Sequence, residues 1–173
     1  MASGYFNRQA QLDINLVHEL GNVVVDVSVE AVAHGFTLIK GASQQYISQA
    51  GLVRAAEITG IKFPPTVPST DKAWFVGMLL DKPQEIVKQY GLKETAEALH
   101  QKSVDAHKLV GRYIASIIDE LSRILPIERV ELAGGATLGG SGDVFRDEAL
   151  KAIFNKNIII ERAATDRKVV RLA

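Results

Sequence analysis

Val130-Glu-Leu-Ala-Gly-Gly-Ala-Thr-Leu-Gly-Gly-Ser-Gly-Asp143 is the stretch on which the reading of this chain turns. Its front end belongs to a predicted strand, Glu128-Arg-Val-Glu-Leu-Ala133. Five of the fourteen glycines then fall within residues 134–142. Behind them, Val144, Ala149 (or Leu150) and Ile153 recur at helical steps and predict a helix over 144–154. Asn155-Lys156-Asn157 is a turn, and Asn157-Ile-Ile-Ile-Glu161 reads as a buried strand. Two strands joined through a helix run parallel, so residues 128–161 predict a strand–loop–helix–strand unit.

Upstream, Pro126 closes a long helical pattern beginning near Lys93. Ala96, Leu99, Ala106, Val110, Tyr113, Ile117, Leu121 and Ile124 form its apolar stripe. Gly111 interrupts it and marks either close packing or a break into two helices near Ser103. Shorter helices are expected over 44–59, 71–80 and from Pro83 to Gly91. Phe63-Pro-Pro-Thr-Val-Pro-Ser-Thr70 is a surface connection, because proline removes donors and restricts its predecessor.

At the front of the chain, period-two alternation predicts three antiparallel strands over 12–41. Val23, Val25, Val27, Val29 and Ala31 share one face of the second strand, opposite Val24, Asp26, Ser28 and Glu30. Gly21-Asn22 and His34-Gly35 supply the turns. The expectation is one α/β domain over 1–173. It comprises a mixed sheet with an N-terminal three-strand meander (12–41), a helical middle (44–125), the C-terminal unit (128–161) and a tail (162–173).

Composition narrows the function. The 173 residues hold 20 Lys plus Arg and 20 Asp plus Glu, giving no net charge. A neutral chain has no global attraction to nucleic acid or anionic membranes, and copies of it do not repel one another, which favours a homo-oligomer. Without cysteine, thiolate metal sites and thiol nucleophiles are excluded. No apolar run approaches a membrane span, and the first residues lack the pattern of a signal peptide. A cytoplasmic protein is expected.

The loop is the best candidate for chemistry. Glycine tolerates positive φ, so backbone N–H groups at Gly134, Gly135, Gly139, Gly140 and Gly142 can converge on one anion. The following helix N-terminus adds donors and partial positive charge. Thr137 and Ser141 add hydroxyls. Asp143 either caps the helix or holds a metal or a ribose hydroxyl. The leading expectation is therefore a nucleotide or another phosphorylated small molecule, accompanied by Mg²⁺.

Helix 106–125 followed by Ile127-Glu-Arg-Val-Glu-Leu-Ala-Gly-Gly-Ala136 resembles the last part of the actin, sugar kinase and Hsp70 superfamily. The resemblance implies a ribonuclease-H-like half, with Gly134, Gly135 and Ala136 lining the adenosine of ATP. Where that superfamily's phosphate strand continues with glycine and threonine, this chain reads Val29-Glu-Ala-Val32. The alternative is thus a non-catalytic, self-assembling subunit on a degenerate actin-like fold.

Other polar residues have simpler readings. Asp13 and Asp26 lie on neighbouring predicted strands, where paired acids could hold Mg²⁺ for nuclease chemistry; Asp13 points away from the apolar face, so a solvated strand face is the favoured reading. His100 and His107 stand about 10.5 Å apart along one helix, too far to share a metal. His18 reads as a core or rim histidine and His34 as a turn residue. No nucleophile or general base stands out.

Overall fold

The structure, a computed structural model, describes residues 24–34 and 38–162, together with the backbone of two strands, β1 (Ser3–Phe6) and β2 (Leu12–His18). Among the described residues six α-helices follow: α1 (Gln44–Ile47), α2 (Gln49–Ile58), α3 (Lys72–Asp81), α4 (Pro83–Tyr90), α5 (Ala96–Ser122) and α6 (Ser141–Ala152). Strands β3 (Arg129–Leu132) and β4 (Ile159–Arg162) flank α6 in sequence and pair in parallel.

The helix ends follow local chemistry. Ser48 caps α2 by accepting the Gly51 N–H, and Thr95 caps α5 by accepting the Ala98 N–H at 3.2 Å. Pro83 opens α4, where its missing N–H costs nothing, and Gly91 closes it in the left-handed region at φ 60°. Helix α3 buries Ala73, Phe75, Val76, Leu79 and Leu80, apolar on several sides, and therefore sits in the middle of the bundle.

α5 is the spine. It runs unbroken for 27 residues and buries Leu99, Ala106, Val110, Ile114 and Ile118. The core joins these to Leu52, Phe75, Leu79, Phe145, Ala149 and the inner side of the β3–β4 pair through Leu132 and Ile160. No break occurs near Ser103. Gly111 instead serves close packing: a Cβ there would lie 2.8 Å from Glu148 Cβ and 3.0 Å from the Phe145 carbonyl oxygen. α5 and α6 meet backbone to side chain at this point.

The expected α/β fold with a mixed sheet and three-strand meander is corrected. The described chain is mainly helical, and its strands form two separate two-stranded pairs. β2 pairs antiparallel with β1, upstream of it. The segment predicted as strands two and three makes only two isolated bridges, Val24 with Ala42 and Ala33 with Lys40. The reason lies in exposure. Val27 and Val29, which alternation assigns to a buried face, are each 93% exposed. Alternation groups side chains on one face but does not supply a layer to cover it. Asp26 accepts the Ser28 N–H at 2.9 Å, bending the chain where a strand would have continued.

The predicted Gly21-Asn22 turn, the side chains of Asp13 and His18, residues 35–37 and the tail beyond Arg162 lie outside the described residues. Among the described residues no helix is long and apolar enough to cross a membrane.

Candidate functional site: the glycine loop and its partners

The loop leaves β3 at its carboxyl end. Gly134 turns it at φ 111°, Gly135–Thr137 make one 3-10 turn, and α6 begins at Ser141. Residues 134–143 are thus brought together between the end of β3 and the start of α6. Several of their polar groups meet protein partners: the Thr137 N–H and hydroxyl, the Gly140 N–H, the Ser141 hydroxyl and the Asp143 carboxylate.

Thr137 donates both its N–H (3.0 Å) and its hydroxyl (2.8 Å) to the Gly134 carbonyl oxygen. The Gly140 N–H points to the carboxylate of Asp81, the last residue of α3, at 3.1 Å. Side chains at 139 and 140 would collide with that carboxylate, so the two glycines admit it. A carboxylate at a helix N-terminus is stabilising by about 0.3–1 kcal/mol. The anion that the loop was expected to attract from solution has an internal counterpart in Asp81.

Asp143 is not the helix cap; it lies inside the first turn of α6. One of its carboxylate oxygens accepts from Arg162 Nη1 at 2.9 Å, and the other faces Arg146 Nη1 at 3.1 Å. Arg162 also donates to the Thr137 carbonyl oxygen at 3.2 Å. One guanidinium at the end of β4 therefore ties the loop to the helix. Asp26 engages different partners, the Tyr46 hydroxyl at 2.6 Å and the Ser28 N–H. These bonds hold the Asp26 carboxyl below its ordinary range, with the Tyr46 bond first among the causes. The two carboxylates expected to hold metal are not brought to one site. Among the described residues no group of three or more His, Asp or Glu side chains could hold an ion.

Ser141 turns inward. Its Oγ lies 2.8 Å from His107 Nε2, and both residues are buried. His107 Nδ1 lies 2.7 Å from the Ser103 carbonyl oxygen, which can only accept. The imidazole proton therefore sits on Nδ1, and bare Nε2 accepts the Ser141 hydroxyl proton. Burial holds the His107 pKa below its ordinary value, which keeps the ring neutral as this arrangement requires. The ring also stacks on Phe145 at 5.2 Å, and Ser103 Oγ donates to the Val76 carbonyl oxygen at 2.7 Å. This chain of bonds links α3, α5 and α6. A serine held on an oriented imidazole has the form of an activated nucleophile. At 3% exposure, however, Ser141 has almost no access to solvent, and the pair works as a pin between helices.

An open cleft of about 460 Å³ lies on another side of Asp81, lined also by Leu80, Pro83, Gln84, Glu97, His100 and Gln101. None of the predicted loop residues lines it, and it carries no lysine or arginine to receive a phosphate. Sequence reading missed Asp81, His107, Arg146 and Arg162 as partners of the loop. One signal was legible: Ser103 and His107 fall in register with the apolar stripe of α5, where polar side chains need internal partners.

No family model, characterised protein or solved structure matches the chain. The actin-superfamily resemblance accordingly gains no support from relatives.

Proposed function

We propose that the chain is a non-catalytic, self-associating structural subunit. The observation that carries this reading is its exposed apolar surface. Val27, Val29, Leu38, Ile124 and Phe154 are all more than 70% exposed. Single exposed apolar side chains are ordinary; several this large on so small a neutral chain favour association. The glycine loop supports the same reading from the other side, because Asp81 and Arg162 answer groups that a ligand would need.

A second reading keeps the loop as a binding site for a nucleotide or another phosphorylated small molecule with Mg²⁺. It is favoured by Gly134, which has nothing within 4 Å of where a Cβ would stand, at the carboxyl end of the parallel strands where ligands commonly bind. Light scattering after size exclusion, paired with thermal shift in ATP–Mg²⁺ and GTP–Mg²⁺, separates the two. Self-association with no nucleotide response is the expected result. A strictly monomeric chain whose melting temperature rises with nucleotide would replace the first reading with the second.

A further inference from the structure

We draw no further inference here: the strongest candidate, the open cleft beside Asp81 between the end of α3 and the starts of α4 and α5, rests on the acidic side chains of Asp81 and Glu97 with nothing in the structure that points to a ligand, since the one buried side-chain polar atom without a partner among the described residues, Arg54 Nη1, is not part of its lining.

Discussion

At one end of the β3–β4 unit the Gly140 N–H, the Ser141 hydroxyl and the Asp143 carboxylate meet protein partners; at the other, Ile124 and Phe154 stand largely exposed. The glycine end closes on itself through Asp81, Arg162 and the His107–Ser141 pin. The opposite end leaves Phe154 and Ile124 in water. The contrast teaches that a conspicuous sequence motif and a free surface need not coincide. Glycines advertise a loop that can receive groups, and here those groups come from α3, α5 and β4 of the same chain. The end without any motif is the one left with surface to offer.

Breaking the closed end should cost most. His107→Ala removes a buried ring and strands the Ser141 hydroxyl, so it should destabilise by about 2–4 kcal/mol in urea unfolding. A loss below about 0.5 kcal/mol would mean the pin is not formed. Acid should strike the same place. The folded pKa of His107 lies below its ordinary value of 6.5, so its contribution is complete above pH 6.5 and is lost as pH falls through the folded value. Stability should decline on acidification below pH 6.5, ahead of the carboxylates. His107→Phe should flatten that decline, and an unchanged slope would assign it to other groups. Arg162→Met cuts the tie between loop and helix; its partner Asp143 is half exposed, so the expected loss is about 1 kcal/mol. Hydrogen exchange at 137–143 should rise with it. At the open end, Phe154→Ser should change monomer stability by less than about 0.5 kcal/mol, measured below the association range. A larger loss would show that Phe154 packs within its own chain.

The sequence carries the helices well and the sheet poorly, for one physical cause. A helix satisfies its own backbone, so the stripe from Ala96 to Ile124, with Pro126 beyond it, marks α5 within three residues of its ends. The unit around α6 was legible for a related reason, since its glycines and the Asn155–Asn157 turn punctuate a short range. A strand must borrow its partners. The alternation from Val23 to Ala31 says nothing of whether a neighbour and a covering layer exist, and among the described residues none covers Val27 or Val29. The site divides in the same way. The loop's position was readable because glycine is local information. Its partners were not, because Asp81 lies 59 residues from Gly140 and His107 lies 34 from Ser141.

The contact at Gly111 sets the gauge for the closed end. Gly111 lies one helical turn beyond His107, against Phe145 and Glu148, and Phe145 is one turn beyond Ser141. A methyl group at 111 would act as a shim, levering α6 outward and lengthening the serine–imidazole bond a turn away. The loop's closure thus depends on an atom missing from the middle of the longest helix.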